Sequence, residues 1–369
     1  MIVIEVAALI IIGILLFELI IFCHEGGHFI AAKLSGVRVN EFALGMGPKL
    51  FQFTKGETTY SLRLLPIGGY CAMEGEDEQS EDPKAFGNKP VWKRIIIVCA
   101  GAFMNIVLGL LMMLIIVVQQ PMYATTTIDA FPENSVTQEN GLREGDRFVS
   151  IDGYDIYNSR DITFALATVQ NYKADVVVER NGETIDLGEM KFATRTDKEG
   201  NKTLVLDFYV VPQERTFLSV LQQTWEQTVS VVRITWYSLI GLITGRFGFN
   251  ALSGPIGIVS AISDVASAGL QINFLSAFNN ILSVMMLITV NLGIVNMLPI
   301  PALDGGRLIF LIIEGIRRKP VPAKYEGIVH GVGFALLMVF MVVVAFSDIV
   351  RLFTLSLIHI SEPTRRTPI

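Results

Sequence analysis

Cysteine is scarce: there are three in 369 residues, Cys23, Cys71 and Cys99. None falls in the stretch 120–276 and no Cys-x-x-Cys pair occurs, which excludes a disulfide framework and a thiolate metal site. Basic excess is missing too. Lys and Arg number 29 against 35 Asp and Glu, a net charge of −6, so nothing points to nucleic acid as a partner. The first apolar run has no basic region before it and no small-x-small cleavage site after it. It reads as a retained helix rather than a signal peptide.

What is abundant is apolar sequence. Half the residues (51%) are hydrophobic and the mean hydropathy is +0.51. The excess sits in runs at 1–22, 95–119, 277–298 and 331–350, each near the roughly 20 residues that a spanning helix needs. This predicts a polytopic α-helical membrane protein with about four spans. Lys and Arg crowd the 31–94 and 302–330 loops. By the positive-inside rule both are cytoplasmic, which leaves the N-terminus, segment 120–276 and the C-terminus outside.

Between the spans the patterning changes. Residues 37–72 alternate as strands do, with Gly45, Gly47, Gly56, Gly68 and Gly69 as turns or close approaches. Residues 74–90 read as a polar surface loop. Residues 124–211 read as an α/β domain, with "KADVVVERNGETIDL" a hairpin turning at Asn181-Gly182. An amphipathic helix follows through Trp225 and Trp236, suited to a membrane interface, and Gly254-Pro255 breaks it. The prolines in "NMLPIPALDGG" stop the third span, so Pro299–Asp304 is expected to be extended. Non-helical backbone at membrane depth survives only inside protein or beside a water cavity. The tail 354–369 is unlike the rest, a solvated end or foreign sequence, and its His359 is set aside.

The chemistry lies in "HEGGH", His24 to His28. His-Glu-x-x-His on a helix puts two imidazoles one turn apart, about 6 Å between β-carbons. That spacing suits two nitrogens on a tetrahedral zinc ion at about 2.0–2.1 Å. Glu25 is rotated by about 100°, which leaves it free to take a proton from an attacking water and pass it to a leaving amine. A catalytic zinc has three protein ligands, and Asp304 is the best third. A lone aspartate near membrane depth is costly, and binding a cation removes that cost.

Other polar residues in the spans read more plainly. Asn105 reads as an interhelical hydrogen bond in preference to a place near the reaction centre. Glu18 reads as a hydrogen-bonded or protonated acid facing the bundle, and His330 as structural or interfacial.

"HEGGH", "GMGP", "GAFMN" and "NMLPIPALDGG", in that order and in those spans, resemble the site-2 protease family of intramembrane zinc metalloproteases. The likeness is to its bacterial branch of the regulator of sigma-E protease type, and it covers residues 1 to about 353. The resemblance implies a protease core split into 1–119 and 277–353, with a single PDZ domain at 120–212 and a membrane-associated region at 213–276. It implies Zn2+ held by His24, His28 and Asp304, Glu25 as general base, and Asn296 at the substrate. The strands of 37–72 then resemble a membrane-reentrant β-loop that pairs with an unwound substrate. The implied partners are transmembrane protein substrates and the bilayer of the bacterial plasma membrane, with the PDZ domain extracytoplasmic.

The implied reaction is the second cut of a signalling cascade, for example on an anti-sigma factor or a signal-peptide remnant. Family members usually carry a bulky apolar residue where Gly26 stands. Three other readings remain. A non-catalytic PDZ scaffold predicts a damaged site, and a transporter would show an inverted repeat. A different membrane His-Glu-x-x-His peptidase, with its active site in a cytosolic domain and a glutamate as third ligand, leaves "NMLPIPALDGG" unexplained.

Overall fold

The structure, a computed structural model, describes residues 2–76, 78, 80–196, 202–248 and 252–360. Residues 361–369 of the odd tail lie outside them. The chain begins α1 (Ile2–Ser35), β1 (Val39–Lys55), β2 (Thr58–Met73) and α2 (Val91–Gln119). Next come β3 (Met122–Ala130), α3 (Val136–Glu139), β4 (Arg147–Ile151), β5 (Tyr154–Asp155) and α4 (Ser159–Ala167). Five strands follow: β6 (Lys173–Arg180), β7 (Glu183–Lys191), β8 (Thr194–Thr196), β9 (Lys202–Leu204) and β10 (Tyr209–Glu214). The chain ends in α5 (Phe217–Ile243), α6 (Pro255–Leu270), α7 (Phe274–Asn296), α8 (Asp304–Arg317) and α9 (Ala323–Ile360). It divides into two compact units, Met1–Gly109 with Ile240–Ile369, and Leu110–Leu239.

In the first unit the apolar runs become helices because an isolated backbone in lipid must satisfy its own hydrogen bonds. Among the described residues four helices are long and apolar enough to cross a membrane: Glu5–Ser35, Val91–Gln119, Phe274–Asn296 and Lys324–Val350. The first outruns its apolar stretch and carries His24 to His28 on its last turns. It stops at Gly36, where Val37 N–H bonds the Ala32 carbonyl and Gly36 N–H that of Lys33, a Schellman cap with glycine at positive φ. The start of α6 lacks a side-chain cap of its own. The buried Asp348 of α9 supplies one, accepting from Gly257 N–H at 2.8 Å.

The 37–72 alternation becomes a doubled hairpin. Residues 41–44 pair with 59–62 on one side and with 69–72 on the other, and 59–62 also pair with 51–54. Each long strand therefore folds back on itself, at Gly45 and Gly68, both at positive φ. The result behaves as four short strands, and the 69–73 segment has a second edge with no strand partner among the described residues. Phe42, Cys71 and Met73 bury one face against Ala31, Ala32, Ile97 and Val98 of the first two helices. Leu50, Phe51, Leu62 and Leu64 stay exposed. In the loop 74–90, Phe86 is buried in a short 3-10 turn.

The second unit is an antiparallel sheet ordered β10-β3-β4-β6-β7, with β5 beside β4 and β8 and β9 as a separate pair. Asn181-Gly182 turns β6 into β7 with both residues at positive φ, the geometry that suits strand twist. Phe148, Ile151, Val176, Val178 and Phe192 form its core, each almost wholly buried. Asn158 and Asp161 make a capping box at the start of α4. Asp161 also accepts from Ser230 and Arg233 of α5, which ties the first part of that helix to the sheet.

Candidate metal centre

His24 and His28 sit one turn apart on α1, both 8% exposed. Their Nε2 atoms lie 3.3 Å apart. Asp304 is the first residue of α8, where the helix dipole favours a carboxylate. Its Oδ2 is 3.3 Å from each Nε2. The three donors form a triangle of nearly equal edges, drawn from helices 280 residues apart in sequence (304 − 24).

That triangle can be tested for fit to zinc. Tetrahedral ligands at about 2.0–2.1 Å from a zinc ion stand about 3.3 Å from one another, and the edges match. His28 Nδ1 lies 2.8 Å from the Ile97 carbonyl and donates to it, so Nε2 presents a lone pair. His24 Nδ1 meets the Asn105 carboxamide at 3.2 Å. The Asn105 Oδ1 is buried and without a donor, so a half-turn of the amide sets that oxygen on the His24 Nδ1–H. Asp304 Oδ2 has no hydrogen-bond donor either. Two imidazole nitrogens and a carboxylate oxygen thus converge within 3.3 Å of one another, an arrangement that a shared cation stabilises. Zn2+ fits these residues, and the carbonyl and amide behind the imidazoles are the outer support that zinc histidines need.

The site is also shaped by what is missing beside it. A β-carbon on Gly101 of α2 would stand 2.3 Å from His28 Nε2 and 2.9 Å from His24 Cε1. Only glycine lets α2 pass this close to the imidazoles.

Glu25 projects from the next position of α1 toward the 69–73 strand. Its carboxylate accepts from the Cys71 backbone N–H, and a β-carbon on Gly69 would touch its Cγ at 3.4 Å. The Asn296 amide, at the end of α7, reaches 3.3 Å from His24 Nε2. The five residues singled out from sequence are therefore assembled in one place. Glu18 is half-buried, with Oε1 shielded and bonded to no donor.

One expectation needs correcting and another gains a location. Pro299–Asp304 is not extended throughout, although Leu303 is. The chain turns twice, with Ile300 N–H on the Leu298 carbonyl and Leu303 N–H on that of Ile300, because Asp304 must face back toward α1 while opening a new helix. Asn105 makes the expected interhelical hydrogen bonds, and one of them falls on a candidate ligand. Its backbone carbonyl accepts from Thr289 of α7 at 3.1 Å, but its side chain lies on His24. The sequence signal was an amide one turn after Gly101; what it faced was not legible.

α8 is pinned at two further points. Arg94 of α2 makes a two-pronged ion pair with Glu314, and Arg307 pairs with Glu76 at the end of the doubled hairpin.

A helix-borne His-Glu-x-x-His, an aspartate opening a second helix and four apolar helices define a membrane metallopeptidase of the site-2 type. The comparison with family models agrees: residues 12–340 match Peptidase family M50, and the chain belongs to it. The Bacillus subtilis protein named regulator of sigma-W protease RasP is 31% identical over 422 residues, covering 92% of this chain and 98% of that one. A Clostridium perfringens protein with a zinc metalloprotease name is 36% identical over 342 residues, 92% and 98% of the two chains. The zinc metalloprotease RasP of Shouchella clausii is 30% identical, with the same coverage. The chain is an integral membrane zinc metalloprotease.

Proposed function

We propose that the protein cleaves transmembrane segments of single-span proteins, with zinc held by His24, His28 and Asp304 and Glu25 as general base. The observation that carries the proposal is the triangle of 3.3 Å edges with Glu25 beside it and a free strand edge next to Glu25. Zinc bound there supplies a Lewis acid for the scissile carbonyl and the attacking water. The protein does the rest. An unwound substrate segment pairs with the open edge of residues 69–73, as extended peptides pair with sheet edges. That pairing exposes the carbonyl which a substrate helix would hide. Glu25 takes the proton from the water and delivers it to the leaving nitrogen. Asn296 donates to the substrate carbonyl region, since its amide reaches the same corner.

In this reading the second unit contains an extracytoplasmic PDZ domain spanning 120–212, in a bacterial inner-membrane protein whose 31–94 and 302–330 loops are cytoplasmic. The domain admits substrates already trimmed outside, so this enzyme makes the second cut of a cascade. The relative named for sigma-W regulation favours an anti-sigma factor as the substrate class, and a signal-peptide remnant has the same single-span form. A non-catalytic scaffold would have no use for an intact base beside three intact ligands.

The test is zinc per chain in detergent-purified protein, wild type beside Asp304→Ala, with cleavage of a single-span substrate followed in Glu25→Gln. Expected are about one zinc in the wild type, a clear loss in Asp304→Ala, and full zinc without cleavage in Glu25→Gln. Undiminished zinc in Asp304→Ala would sink the ligand assignment.

A further inference from the structure

The segment that delivers Asp304 is not held by its own helix alone. Ala302, two residues earlier, sits at φ +77°, a left-handed conformation that disfavours any residue with a β-carbon. Such a residue persists only when its surroundings hold it. Its N–H donates to Nδ1 of His330 at 2.9 Å. His330 lies on α9, the fourth apolar helix, and its ring packs at a tilt against Phe310 of α8, 5.6 Å between centroids. One turn further along α9, Gly333 is buried against the same segment. A β-carbon there would stand 2.3 Å from Pro301 Cβ and 2.9 Å from its carbonyl oxygen. α9 therefore grips the turn at two successive residues, Pro301 and Ala302, by close packing and by a hydrogen bond.

We propose that His330 is a positioning residue: through Ala302 N–H it sets the turn that aims Asp304 at His24 and His28. The inference rests on Asp304 being a metal ligand. It gives the fourth span a part in the reaction by way of the turn that carries Asp304. The imidazole acts here as a hydrogen-bond acceptor, and metal ligation is no part of its role. Without that acceptor the left-handed alanine relaxes and α8 starts from a different direction. The Asp304 carboxylate then misses the triangle by a fraction of its present reach.

The experiment measures zinc release to a chelator, and kcat and KM for cleavage, in the full chain in detergent. His330→Phe keeps a ring packed against Phe310 but removes the acceptor. It is expected to release zinc about 10-fold faster or more and to lose kcat on a similar scale, with KM little changed. His330→Asn places a carbonyl oxygen near the site of Nδ1 and should restore both. Ala302→Gly in the His330→Phe background should also restore them, because glycine adopts positive φ without help. That double variant separates lost positioning from general misfolding. Full zinc in Asp304→Ala would overturn the ligand reading and this inference together. Zinc lost there, with His330→Phe like the wild type or His330→Asn no better than His330→Phe, would overturn this inference alone.

Discussion

At the scale of single residues, the two glycines of the zinc motif are not equivalent. A β-carbon on Gly27 would stand 2.3 Å from the Ala100 carbonyl, whereas one on Gly26 meets nothing within 4 Å. Gly27 is therefore required by the crossing of α1 and α2, and Gly26 only weakens the helix, by roughly 1 kcal/mol relative to alanine. Gly26→Ala should leave zinc content and cleavage intact and raise the melting temperature slightly. Gly27→Ala and Gly101→Ala should each abolish zinc binding, because the β-carbon displaces backbone in one and the imidazoles in the other. Metal analysis of the three purified variants checks the order. The motif itself could be read from sequence because its two histidines lie on one helix, where spacing alone sets geometry. Asn105 and His330 could not, since their partners lie 81 and 28 residues away.

Among the elements, α8 and the doubled hairpin carry the most consequence. Arg94 and Glu314 have side chains only 10% and 16% exposed. Removing one partner of so enclosed a pair leaves a charge with little solvent. Glu314→Ala should destabilise the first unit by about 3 kcal/mol, seen as a lower melting temperature with faster zinc release. The hairpin has a different hold. Burial pushes the Glu41 carboxyl up, but hydrogen bonds from Ser61, Lys49 and Arg63 outweigh it and bring its pKa down to about 2. A carboxylate depressed from its ordinary value of 4.5 stabilises the fold fully above that pH. The contribution fades as pH falls toward the folded value. Glu41→Gln should therefore speed hydrogen exchange of Ser61 and Arg63 amides at pH 7. Its difference from wild type should shrink below pH 4.5 and vanish near pH 2. A difference independent of pH would show that shape, not charge, holds the sheet. Alternation announced the strands, but two pairings for one strand depend on where the chain bends, which local patterning does not encode.

For the molecule as a whole, the donors all belong to one of the two units. The core of the other, built on Phe148, Val176 and Phe192, contains none of them. A ligand stabilises the state that binds it. Chelation should therefore raise hydrogen exchange around residues 24–28, 97–105 and 296–306 while β4 and β6 stay protected. Equal deprotection of both units would mean that they unfold together.

Sequence alone determined what is local or one-dimensional. Apolar run length sets the helices able to cross a membrane, the four-residue step sets the paired histidines, and the Asn-Gly step sets the β6–β7 turn. These follow from helix rise, helix pitch and turn sterics, and need no partner. Tertiary structure decided what depends on approach between distant segments. It turned Pro299–Asp304 back toward α1, put the Asn105 amide behind His24, opened a strand edge beside Glu25, and set His330 under Ala302. In each case a hydrogen bond or a close backbone passage between helices chose one conformation from several that the local sequence allowed.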